Sequence, residues 1–242
     1  MISRGRAGKT ITQKVLPKWV TFVVPESQEQ QYRAHLSNPI MTCPDDTLGL
    51  GKTRNFVLDH VKTRMVAIFD DDIKCVRYIG GAQSRPLTPE EVVFVVCNMA
   101  QMTDDAGLHT FCFAQRNRMT FDPHLPFALK GTCSGFIGII DRKYRFMENR
   151  LKVDVDYILQ NLLYDRVVFF EGRYALELYI DSNSGGSSLF RSEDKIKEER
   201  AILCKKWGKY LQYKETRALK HQQSRMIVVP SINVKRTQSL DI

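Results

Sequence analysis

The chain has 242 residues, a hydrophobic fraction of 43% and a formal charge of +9 with a pI near 9.3. That hydrophobic content is ordinary for a folded protein and argues against a disordered chain. No apolar run approaches the roughly 20 residues that span a bilayer, and the basic start lacks a signal-like apolar region, so the expectation is a soluble, cytoplasmic protein without a membrane partner.

Residues 1–18 carry Arg4, Arg6, Lys9, Lys14 and Lys18 without an acid, and read as a basic N-terminal segment ahead of one α/β domain over 19–242. The stretch from about Arg191 onward is basic as well, and a surface of this sign favours nucleic acid or nucleotide phosphate. Trp19–Val24 reads as a buried strand ending at Pro25. A polar helical stretch through Tyr32, Arg33 and Leu36 follows, then a short strand over Ile40–Cys43. Gly49-Leu-Gly51-Lys-Thr-Arg54-Asn55 reads as a loop whose glycines admit a close ligand and whose Arg54 and Asn55 contact a nucleotide; solvated charges on a first helical turn are the plainer alternative. Helical spacing sets in at Phe56. Two Gly-Lys-Thr sequences, at Gly8 and Gly51, are not phosphate loops, because the positions that need a further glycine hold Ser3 and Asp46.

Val66-Ala-Ile-Phe69 then runs into Asp70, Asp71 and Asp72. At the carboxyl end of a strand in an open α/β sheet these residues stand where ligands bind, and alternation points the first and third the same way. Such a pair suits Mg²⁺ or Mn²⁺, hard cations that take the remaining ligands from water and substrate phosphate. Further on, Thr88-Pro-Glu-Glu91 is a capping box opening a helix to about Met102. A strand is expected at His109–Ala114, then Gly131–Gly135 leading into a strand over Phe136–Ile140. An amphipathic helix starts at Asp154-Val-Asp156, two strands follow near Val167–Phe170 and Tyr174–Ile180, then a Gly185-Gly186 loop and a charged helix over Glu193–Trp207. The six cysteines are scattered without zinc spacing and read as reduced core residues.

The order of these features resembles the GT-A class of nucleotide-sugar glycosyltransferases, and within it the small bacteriophage TET-associated glycosyltransferases that modify 5-hydroxymethylcytosine in DNA. The resemblance implies a Rossmann-like, mixed and mostly parallel central sheet flanked by helices. It implies a UDP-sugar donor held near Pro25, Gly49, Gly51, Arg54, Asn55 and Asp71, with Gly185, Gly186 and Arg191 closing over the diphosphate. Asp70 and Asp72 would bind Mn²⁺ or Mg²⁺, with His221 as a third ligand, and Asp154, or alternatively Asp156, would be the catalytic base. Val153 stands where the family's usual glutamate would precede that base. The acceptor implied is DNA containing hydroxymethylated cytosine, in the cytoplasm of an infected bacterial host. A transferase acting on saccharide, lipid or protein shares the donor machinery, and a non-catalytic DNA-binding descendant of the fold is the other alternative.

Overall fold

The computed structural model describes residues 1–114, 121–148, 152–179, 192–217 and 226–234. Among them the strands are β1 (Phe22–Pro25), β2 (Ile40–Cys43), β3 (Met65–Phe69), β4 (Ile73–Tyr78), β5 (Arg85–Pro86), β6 (Thr110–Phe113), β7 (Phe127–Ala128), β8 (Phe136–Ile140), β9 (Phe169–Glu171), β10 (Tyr174–Leu178), β11 (Leu211–Arg217) and β12 (Met226–Ile232). The α-helices are α1 (Glu29–Arg33), α2 (Leu50–His60), α3 (Pro89–Asp105), α4 (Val153–Tyr164) and α5 (Glu193–Trp207).

The central sheet has the order β3-β8-β6-β9-β7. It is mixed, as expected, but it is not mostly parallel: β6 and β9 are parallel, whereas the β3–β8, β8–β6 and β9–β7 pairs are antiparallel. A parallel neighbour needs a long crossover, usually a helix. No helix is described between β6 and β8, and the chain returns beside β6 in the opposite direction. A separate β10-β4-β5 sheet is antiparallel throughout, and β11 and β12 form a hairpin.

β1 and β2 form a parallel pair, and residues 1–3 join it to β3. The Val23 amide donates to the Met1 carbonyl at 2.7 Å and the Ser3 amide to the Val23 carbonyl at 3.0 Å, while the Ile2 amide donates to the Phe69 carbonyl at 3.0 Å. This short extended segment thus bonds strands on both sides, because successive backbone groups of a strand point to opposite edges. The start of the basic segment is thereby built into the sheet.

Alternation along β3 and β8 sends Val66, Ile68, Ile137 and Ile139 to one core cluster and Phe69, Phe136 and Ile140 to the other, so both faces of the sheet are covered. Phe136 packs against Phe69 and Phe113 with ring centroids 4.6 and 4.9 Å apart. The capping box of α3 is present: the Thr88 hydroxyl accepts from the Glu91 amide at 3.3 Å, and the Glu91 carboxylate accepts from the Thr88 amide at 2.9 Å.

Residues 49–55, read from sequence as a loop, belong mainly to α2. Gly49 precedes the helix at φ 95°, a conformation that favours glycine. Gly51 lies inside it, where a Cβ would run into the Met147 carbonyl oxygen. Glycine's low helix propensity hid this start. Replacing Gly51 with alanine is expected to destabilise the protein by about 1–3 kcal/mol, the usual cost of overpacking, read from denaturant unfolding of the two chains.

Candidate functional site

The three carboxylates after β3 share one turn but not one environment. The Asp70 amide donates to the Gly135 carbonyl at 2.8 Å, which continues the β3–β8 pairing and seats the turn beside the Gly131–Gly135 loop. Thr12 clamps the turn from the other side: its hydroxyl donates to the Asp70 carbonyl and accepts from the Ile73 amide, both at 2.8 Å.

Asp71 points inward. Its carboxylate is ion-paired with Arg6 and accepts from the Ser3 hydroxyl, and Ser3 in turn bonds the Tyr32 hydroxyl at 2.7 Å. Burial pushes its carboxyl pKa up, against the opposing pull of Arg6 and Ser3. Asp72 keeps 30% of its side chain exposed, and Arg6 is 3.8 Å away. Burial first, then the charges of Asp70 and Asp71, push the Asp72 carboxyl up to about 6.

Asp70 and Asp154 meet on one guanidinium. Arg54, 1% exposed, donates from one terminal nitrogen to Asp154 and from the other to Asp70 Oδ1 at 3.1 Å. Its plane lies over the Phe146 ring, 5.2 Å from the centroid. Burial alone would make the guanidinium easier to deprotonate, but Asp154 and Asp70 more than offset this and keep it charged. Arg54, expected from sequence to contact the donor nucleotide, therefore spends its two outer nitrogens on carboxylates. Asn55 is likewise engaged: its amide donates to the Phe146 carbonyl and accepts from the Phe146 amide, both at 2.9 Å. Gly49 and Gly51 serve the start and packing of α2, and Pro25 closes β1 at a buried position.

Asp154 lies in the first turn of α4 with 19% of its side chain exposed. Asp156, two residues on, faces a different side of the helix, because each residue turns the chain by about 100°. It is fully buried, with Lys206 and Trp207 of α5 at 2.6 and 2.9 Å and Gln160 at 2.9 Å. Its carboxylate docks α5 against α4 and does not join the acidic cluster. Cys133 is buried close to Arg54 and Asp154, its thiol held well above the usual range by a hydrogen bond with Cys112 and by burial. Cys43 and Cys112 are buried too, but Cys97 is exposed, so the cysteines are not all core residues.

Gly185, Gly186, Arg191 and His221 lie outside the described residues. Among the described residues no group of three or more His, Cys, Asp or Glu is placed to hold a metal ion. The acidic centre instead combines carboxylates with guanidiniums: Asp70, Asp71, Asp72 and Asp154 around Arg6 and Arg54. Ser3, Arg6 and Thr12 were not singled out in the sequence. Arg6 was visible only as one of five bases, and no local pattern ties it to Asp71.

Residues 1–170 match the sequence model of the family described as TET-Associated Glycosyltransferase. The match spans most of the 242 residues, and the chain belongs to this family. No curated protein matches the chain. A solved structure, S. aureus TarS 1-349, is similar over 72% of this chain and 58% of its own length, with 14% identity and a TM-score of 0.46. The chain thus spans somewhat over half the length of that structure. No helix among the described residues is long and apolar enough to cross a membrane.

Two outcomes follow from the geometry. Arg6→Ala is expected to destabilise the chain by about 3–5 kcal/mol by stranding the buried Asp71 charge, whereas Arg6→Ala combined with Asp71→Ala recovers part of the loss; denaturant unfolding of the set measures both. Asp72 titrates higher in the folded than in the unfolded chain, so the folded state binds the extra proton between about pH 4 and about 6. Its contribution to stability falls as pH rises through that window, by on the order of 2 kcal/mol. Asp72→Asn flattens this slope in metal-free unfolding curves recorded across the window.

Proposed function

We propose that the chain transfers a hexose from a UDP-sugar to the hydroxymethyl group of 5-hydroxymethylcytosine in DNA, using a GT-A-like site with Mn²⁺ or Mg²⁺. The observation that carries this reading is the joining of the post-β3 carboxylates to the first turn of α4 through Arg54. It sets a candidate cation site beside a candidate base within one cluster.

The cluster fits a divalent cation by charge and by donor type. Four carboxylates face two guanidiniums, which leaves two negative charges when all are ionised. The raised pKa of the Asp72 carboxyl, due first to burial, reflects the same excess through Asp70 and Asp71. Asp71 is committed to Ser3 and Arg6, so Asp70 and Asp72 are the residues that would hold the cation. When bound, the cation supplies positive charge against a nucleoside diphosphate leaving group.

The acceptor side rests on Asp154. The first turn of α4 presents its carboxylate, partly exposed, with Oδ1 on Arg54 and no hydrogen bond to Oδ2 among the described residues. Asp154 takes the proton of the acceptor O–H as the oxygen bonds to the anomeric carbon and the bond from that carbon to the diphosphate breaks. A base within a duplex must leave the stack to reach such a site. The net charge of +9 supports a polyanionic acceptor, because Lys and Arg contacts to phosphate give affinity without sequence preference. Arg6 is committed to Asp71, and Arg4 bonds the carbonyls of Asp45 and Thr47. Of the two basic stretches, the exposed lysines of α5 are the better candidates to meet DNA; Lys205 is one.

The test supplies hydroxymethylated and unmodified DNA, a panel of nucleotide sugars, and either Mn²⁺ or a chelator. Expected is sugar incorporation only into hydroxymethylated DNA, abolished by chelation and reduced at least about 100-fold by Asp72→Ala or Asp154→Asn, with Asp154→Asn still binding UDP. Transfer to a saccharide, lipid or protein with none to either DNA would overturn the acceptor assignment.

A further inference from the structure

We propose that Arg54 is a positioning residue of the transfer reaction, holding the base Asp154 in fixed relation to the cation-side carboxylate Asp70. This rests on the glycosyltransferase reading above but goes beyond it. No substrate contact is assigned to Arg54; it acts through the two carboxylates it joins.

A guanidinium presents its N–H groups in one rigid plane, so a carboxylate on each terminal nitrogen is fixed in direction as well as distance. Arg54 uses this fork across two elements that are distant in sequence, the turn after β3 and the start of α4. The fork itself is held. Its plane rests over Phe146, Asn55 makes two hydrogen bonds to the Phe146 backbone, and Gly51 brings α2 against the Met147 carbonyl. Rigid contacts therefore run from Asp70, the carboxylate that would hold the cation, through α2, to the segment that leads into α4.

The fork also sorts the oxygens of Asp154. Oδ1 is taken by the guanidinium, which leaves Oδ2 as the proton acceptor and fixes the face on which the acceptor hydroxyl must arrive. Loss of the fork frees Asp154 to rotate and brings two carboxylates together without a counter-charge. Misplacement of a reacting group by about 1 Å costs on the order of 100-fold in rate. Donor binding depends on the diphosphate, the cation and the nucleotide, and is not weakened by the same change.

Arg54→Gln removes the charge and Arg54→Lys keeps it without the fork, and both are compared with the unmutated full chain. Transfer kinetics are measured with UDP-sugar, Mn²⁺ and the acceptor that the unmutated chain uses. Calorimetric titration with UDP and Mn²⁺ reports donor binding independently of transfer. Expected is a fall in kcat of about 100-fold for Arg54→Gln and about 10-fold for Arg54→Lys, with KM for the UDP-sugar within about threefold and the UDP stoichiometry preserved. A loss carried by KM, an unchanged kcat in both variants, or parallel loss of UDP binding and kcat would each overturn the positioning role while leaving the proposed reaction standing. If the unmutated chain transfers sugar to no acceptor and hydrolyses no donor, the reaction and the positioning role fall together.

Discussion

A guanidinium withdrawn from water must recover its solvation from the protein, and Arg54 recovers it from Asp154 and Asp70. This requirement organises much of the surrounding structure. The turn after β3 and the first turn of α4 have to lie close enough to share one side chain, and α2 has to enter between them. Gly51 permits that close entry, and Asn55 pins the segment before α4. An ion pair buried in this way is weak evidence for stability, because desolvation cancels much of the attraction, so its value here lies in fixing geometry.

The acidic turn shows how three copies of one side chain acquire separate tasks. Asp71 is drawn into the protein by Arg6 and Ser3, Asp70 is tied to Arg54, and Asp72 is left beside solvent with an excess of like charge around it. The backbone makes this division possible. Thr12 bonds the turn at Asp70 and again at Ile73, while Gly135 bonds it at Asp70, so the three side chains leave a braced peptide in different directions.

Periodicity and caps made much of this architecture legible in the sequence. The apolar run into Asp70, the capping box at Thr88 and the apolar strand over Phe136–Ile140 each follow from local patterns, and each stands where expected. What the pattern hid is physical. Two glycines disguised the start of α2, the acidic run obscured the alternation of β4 just beyond it, and the antiparallel placement of β8 depends on a connection without local code. Among site residues, Asp70, Asp72 and Asp154 stood out because clustered acids near element ends are rare, and the cluster does bring them together. Arg6, Ser3 and Thr12 did not stand out, since each is ordinary in its own neighbourhood and acquires meaning only through partners more than fifty residues away.

Ile2 occupies a seam between β1 and β3: its own amide bonds the Phe69 carbonyl on one edge, and its neighbours Met1 and Ser3 bond the Val23 backbone on the other. Neither edge is complete until residues 1–3 are in place, and β3 cannot be joined to β1 by local hairpin formation. The sheet is therefore closed by contacts of large sequence separation, which carry a loop-closure cost before they return any stabilisation. The same closure brings Ser3 and Arg6 to Asp71, so the acidic turn is completed by contacts that span more than sixty residues of chain.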